Sequence, residues 1–362
     1  MKFTHLAFIL CVLGMSSCSD CGRDDILVEE EITQYRTQLG YFEEDIIAPG
    51  ISEASQDIEL LNNAVESFLI APTLSNLANV QQSHKNAWIS FQQISFLRFG
   101  PGEFIIPQLN TFPADAMFLQ NALETGEYVN PANDEKGLPA LDWLLNEANL
   151  TADELLTAFT NETTGASRMN VLSVCSNELV ANITALESAW QSNYAEEFRS
   201  NGGAFAGAGM SLYINSFVQD YELLKRDKVA LPLGLLTLDI PLPDKVEAYH
   251  GGYSIELALQ HLTSLRKSID GFEGRGLKAL LDELGAYHDG SQMDLSDAIL
   301  TAIQEAQTAL EQVPDPLSDT IDVNPQIVQE AYDELQEVVV LLKVDLPSAL
   351  GISITFTDND GD

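Results

Sequence analysis

The sequence is short of positive charge. Among 362 residues, 17 Lys and Arg stand against 55 Asp and Glu, giving a formal net charge of −38. Nucleic-acid recognition needs clustered Lys and Arg to neutralise phosphates, so that class is excluded. A basic patch for an anionic membrane surface is missing for the same reason. The field of such a chain favours cations or basic partners, and it also serves plain solubility. Cysteine is scarce as well, with four in the whole chain, too few for a disulfide framework. With 45% apolar and 20% charged residues, the composition is nonetheless that of a globular chain with a large core.

Long apolar runs are confined to one place. Leu6–Met15 is apolar over ten residues, whereas a bilayer needs about 20. Lys2 precedes this run and the small residues Ser16 and Ser17 follow it, as in an export signal over residues 1–17. Ser16-Ser17-Cys18 resembles a bacterial lipobox, with Met15 where leucine is usual, which makes Cys18 the lipidation candidate. A plain cleaved signal is the alternative. The expectation is an exported protein, lipid-anchored to the outer membrane on its periplasmic or surface face, meeting the membrane through that anchor only. Residues 18–50 then form a lipidated tether and lead-in. Cys11 leaves with the signal. Of the remaining thiols, Cys21 sits in a polar tether, and Cys175 lies on an apolar helical stripe, where a buried free thiol is expected.

Alternating strand patterns are also few; the best is Ile352–Thr357, a short β segment near the C-terminus. Helical spacing is present nearly everywhere else. Ile58, Leu61, Val65 and Phe68 step by three and four, ending before Pro72, and Thr73 can cap the next helix through Leu77, Val80, His84, Ala87, Phe91 and Ile94. Leu172, Cys175, Leu179, Ile183, Leu186, Trp190, Tyr194 and Phe198 form the clearest stripe. Further stripes begin at Met210, Ile255 and Leu295. Asn324-Pro325, a cap followed by proline at the first helical position, opens the last. The reading is all-α, with two packed helical-bundle domains over residues 51–200 and 201–362, divided at the glycine-rich stretch 201–209. That stretch has no preceding strand and no Gly-Lys-Ser/Thr, so it is a connection and not a phosphate loop.

Catalytic signatures are missing too. None of His84, His250, His261 and His288 is followed by a carboxylate three or four residues on, which excludes a helical zinc-peptidase site. There is no G-x-S-x-G elbow. Glu247-Ala-Tyr-His250 has the spacing that puts carboxylate and imidazole on one helix face. Only one copy exists where bundle metal sites need two, and the following Gly251-Gly252 places His250 at a helix end.

Several segments together resemble the imelysin family of exported bacterial proteins. Phe96-Leu-Arg98-Phe-Gly100 is similar to its F-x-R-F-G motif, and Asn110-Thr-Phe-Pro-Ala-Asp115 to the segment after it. Gly137-Leu-Pro139-Ala-Leu-Asp142 falls where the family carries G-x-H-x-x-E. Val246–Ser254 and Leu342–Gly351 resemble signatures of its second half. The resemblance spans residues 50 to 362. It implies two helical bundles that look duplicated, a functional site near their interface, and a part in iron uptake. Pro139 at the histidine position has no ligand atom, and Asp142 at the glutamate position is one methylene shorter, so peptidase activity is expected to be absent. The resemblance therefore points to a non-catalytic binding component for iron, an iron chelate or haem, with an outer-membrane receptor as partner. The alternatives are a degenerate metallopeptidase, or a scaffold that has lost the ancestral site. No cofactor is certain; iron is the candidate ligand. Arg98, Asp115, Asp142, Glu247 and His250 are the ligand or interface candidates by motif position, with Arg98 suited to partnering a carboxylate or a chelate.

Overall fold

The computed structural model describes residues 34–147, 150–288 and 292–356; the expected export signal over residues 1–17, Cys18 and Cys21 lie outside the described residues. The helical stripes fold as their spacing dictates. Helix α1 (Ala48–Ile70) stops short of Pro72, and the Thr73 hydroxyl accepts from the Asn76 N–H to cap α2 (Leu74–Phe91). Short helices follow as α3 (Gly102–Leu109), α4 (Ala116–Thr125) and α5 (Gly137–Leu145). Helix α6 (Gly165–Ala189) carries the longest stripe and buries Leu172, Cys175, Leu179, Ile183 and Leu186 against α1 and α5. Cys175 is a free, buried thiol in contact with the Tyr128 hydroxyl, and burial pushes it up to about 12.

The second half holds α7 (Gly209–Leu223), α8 (Ser254–Asp270), α9 (Leu295–Leu310) and α10 (Pro325–Val340). Helix α9 packs between α8 and α10, and α8 also touches α2 and α7, joining the two halves. Their apolar residues form one cluster running from Tyr35 to Ile352. Four helices are extended by a wider π-type turn, at Glu43–Ile47, Trp190–Tyr194, Leu224–Ala230 and Leu341–Asp345. Such turns insert a residue into the helical ladder and re-aim the side chains beyond it.

Three local expectations differ from what is found. The glycine-rich stretch is a closed loop: Gly202 and Gly203 are buried, the Tyr35 N–H donates to the Gly202 carbonyl, and the Gly209 N–H donates to the Asn201 carbonyl. Ile352–Phe356 is extended but pairs with no strand. Instead the Asn215 amide takes the place of a neighbour, accepting from the Thr355 N–H at 2.6 Å and donating to the Ser353 carbonyl at 3.1 Å. Among the described residues the β pairing is an isolated bridge between Tyr287 and Asp294. Asn324 precedes α10 without a side-chain capping bond.

Candidate functional site

The Glu247–His250 pair is not on a helix. Residues 247–252 form a tight turn in which Ala248 and Gly252 have φ of +52° and +66°. That turn sends the two side chains to different places. Glu247 is buried inward, and His250 is half-buried at the wall of an open cavity. Spacing alone reads as helix; the paired glycines at 251–252 and the strained Ala248 make it a turn.

Asp142 holds this turn. Its side chain is buried on α5, where Oδ2 accepts the His250 N–H at 3.0 Å, the Gly251 N–H also bonds to the carboxylate, and Oδ1 accepts from the Asn146 amide at 3.0 Å. A Cβ at Gly251 would sit 2.1 Å from the Tyr253 ring and 2.9 Å from Asp142 Oδ1, so the close approach needs glycine. Burial raises the Asp142 carboxyl to about 7, against the lowering effect of those three bonds. With its oxygens committed to neighbouring amides, Asp142 acts as a clamp on the turn. Pro139, two residues after the start of α5, lies where a proline is tolerated in a first helical turn.

The cavity encloses about 470 Å³. Its walls come from α2 and α5, the 112–116 segment and the 244–250 segment, and include Trp88, Trp143, Asp115, Asp134, Asp142 and His250. Asp115 is the N-cap of α4, with Oδ1 accepting from Met117 and Phe118 at 2.9 and 3.0 Å. Burial lowers the affinity of the His250 imidazole for a proton, and its Nδ1 has no hydrogen-bond partner. The Trp88 indole N–H, on a completely buried side chain, is also unpartnered.

A second, smaller cavity of about 160 Å³ lies on the other side of Phe112, and Arg98 is on its wall. The buried polar residues around it form a linked network, in which Arg98 Nε, Asn110 Oδ1 and His261 Nδ1 have no hydrogen-bond partner. Lys228 Nζ lies 2.7 Å from Glu247 Oε2 and donates to Gln92 Oε1 at 2.6 Å, while Asn110 donates to Glu247 Oε1 at 2.8 Å. Asp220 accepts from Ser95 at 2.7 Å, lies 2.5 Å from His261 Nε2, and has Arg98 Nε 3.7 Å from its other oxygen. The Asp220 carboxyl is held below the usual carboxylate range: burial opposes this, and the charges and hydrogen bonds of His261, Arg98 and Ser95 prevail. His261 is held below the usual histidine range, with burial the largest cause. Ser95, His261 and Asp220 are no catalytic triad, because serine and aspartate both meet the same imidazole nitrogen.

Of the five residues singled out by motif position, Asp115, Asp142 and His250 therefore share one cavity. Arg98 belongs to the other, and Glu247 is buried in the network beside it. Asp220, His261, Lys228 and Gln92 lie in none of the quoted motifs, and Asn110, which opens the 110–115 motif, was not singled out. A signal did exist: Asp220 falls three residues after Phe217 and next to Tyr221, on the apolar face of α7, where a charge must be paired. Among the described residues no three His, Cys, Asp or Glu side chains are grouped to hold a metal ion. No helix of the described residues is long and apolar enough to cross a membrane.

An all-α chain with this order of helices and a polar cleft in the seam between its halves defines the class. The imelysin model of the peptidase M75 family matches residues 47–342, and the chain belongs to that family. The crystal structure of an imelysin-like protein from Psychrobacter arcticum 273-4 superposes with a TM-score of 0.69 at 20% identity, covering 89% of this chain and 97% of that one. An iron-regulated protein A precursor from Parabacteroides distasonis ATCC 8503 gives 0.72 at 15% identity, covering 88% and 95%. At these identities the likeness is one of fold. No curated protein matches the chain.

Proposed function

We propose that this protein is a non-catalytic binding component of iron uptake, exported and held at the outer membrane by lipid on Cys18. In this reading the 51–200 and 201–362 segments are two bundles, and the iron species enters the larger cavity between them. The observation that carries it is the bond from the His250 N–H to Asp142 Oδ2. It ties the 244–250 segment to α5 across the seam, and it commits to the scaffold the one carboxylate at the family's glutamate position. What is left around the cavity is a lining suited to a ligand. Family membership and the description of the Parabacteroides neighbour as an iron-regulated precursor support both the iron and the export. The partner that receives the cargo would be an outer-membrane receptor.

Equilibrium dialysis of the mature chain against Fe(II), ferric citrate, a ferric hydroxamate, Zn(II) and haem tests this. The expected result is saturable uptake of one iron species near one per chain, weakened by His250→Ala. Weak, non-saturating uptake of every species would overturn it. Casein and insulin should stay intact in the same preparations; cleavage that a chelator stops and Asp142→Ala abolishes would refute the non-catalytic reading.

A further inference from the structure

Close to where the described chain begins lies a groove of about 350 Å³ that is part of neither cavity. One wall is the end of the helix Leu277–Leu284 and the residues after it; the other is the helix Leu346–Leu350 and the turn before it, and the two helices touch. Its apolar side chains are Leu284, Ala286, Tyr287, Val344 and Ala349. Leu284, Tyr287 and Val344 are 47%, 59% and 57% exposed, and apolar side chains that face water together mark a surface to be covered.

The first described residues are fastened beside both walls. The Tyr35 hydroxyl donates to the Leu350 carbonyl at 2.9 Å, at the end of one wall. The Gln38 amide donates to the Arg275 carbonyl at 2.9 Å, just before the helix that forms the other. Arg275 is held there by Asp45 at 2.8 Å and by the Tyr41 ring. The preceding chain is therefore delivered next to the groove. Between Cys18 and Tyr35 the large apolar residues are Ile26, Leu27, Val28 and Ile32, in a segment otherwise dominated by acids and small polar residues. A tether that only spans distance needs no such run. Val28 stands seven residues before Tyr35, within about 25 Å of extended chain. Residues 357–362 hold no apolar side chain that could fill the groove instead.

We propose that Ile26-Leu27-Val28, which lies outside the described residues, seats in the groove between helices 277–284 and 346–350 and straps the lead-in to the folded chain. Eight residues then separate Cys18 from the strap, at most about 29 Å of chain, against about 61 Å for the seventeen residues from Cys18 to Tyr35. The strap halves the distance the protein can stand off a membrane. That consequence rests on the lipid on Cys18 proposed above; the docking does not.

The test is fluorescence anisotropy with a labelled peptide of residues 24–33, added to the mature chain carrying Cys18→Ser to keep it in solution. A second chain also carries Ile26→Ser, Leu27→Ser and Val28→Ser, which empties the groove. The peptide should bind this second chain one per chain. It should bind the first about 10-fold or more weakly, because a segment on a short tether competes at an effective concentration on the order of mM. Val344→Glu or Tyr287→Ser, each on a side chain more than half exposed, should abolish peptide binding to the second chain with thermal unfolding unchanged. Equal binding to the first two chains, no binding to the second, or binding that survives both groove substitutions would overturn the proposal. So would dimerisation in light scattering, or co-sedimentation with phosphatidylethanolamine vesicles, that Val344→Glu removes, because either gives the groove another occupant.

Discussion

The two cavities on either side of Phe112 are built from similar residue types and solve opposite problems. Around the smaller one, Lys228, Glu247, Gln92 and Asn110 close a ring of mutual contacts, and Asp220 is met by Ser95, His261 and Arg98. Around the larger one, Asp115, Asp134 and His250 line open space; unpartnered atoms occur at both, on Trp88 and His250 here and on Arg98, Asn110 and His261 at the smaller one. A buried charge is tolerated only with its partner in place, so the first region is scaffold. The larger cavity is lined without a buried ion-pair network of that kind, and its greater volume suits it to an incoming molecule. Buried ionisable groups are therefore a poor guide to a ligand site under the proposed function, because the best-paired ones link residues of the two halves.

The sharpest way to break that contrast is to unpair the scaffold. Glu247→Ala leaves the Lys228 ammonium buried without a counter-charge, held only by the Gln92 amide, and should lower unfolding free energy by about 3–5 kcal/mol in urea titrations. Next is the Asp142 clamp. Its folded carboxyl, near 7, lies above the usual value of 3.8, so its contribution to stability is complete below pH about 4 and is lost as pH rises through 7. Asp142→Asn should flatten that part of the stability-versus-pH curve; an unchanged slope would show that the carboxyl titrates elsewhere. A smaller loss, about 1 kcal/mol, is expected for Asp115→Ala, which removes the α4 cap. His250→Ala should leave the melting temperature within about a degree or two while reducing ligand uptake, and a large drop in stability would place His250 with the scaffold instead.

The helices were legible in the sequence wherever three-and-four spacing persisted, as from Leu172 to Phe198, because burial of one face is what stabilises them. The wide turn at Trp190–Tyr194 was not read from that stripe, because steps of four from Leu186 to Phe198 fit an ordinary helix as well. Ile352–Phe356 shows the limit from the other side: alternation reports an extended chain, and says nothing of whether a strand or the Asn215 amide meets it. At the site, motif position found Asp115, Asp142 and His250, which do share a cavity. It could not separate Arg98 and Glu247 from them, because proximity between segments far apart in sequence depends on how the halves dock. His261 and Asp220 come together from α8 and α7 across 41 positions, beyond any local pattern.

Gly137 has φ of +75°, and a Cβ there would lie 2.5 Å from the Leu109 carbonyl oxygen. Two residues on, the same short motif has exchanged histidine for Pro139. A signature that reads as one functional unit thus contains constraints of two kinds. The glycine is fixed by the clearance between two backbones, whereas position 139 lies on the cavity wall and answers to what the cavity holds.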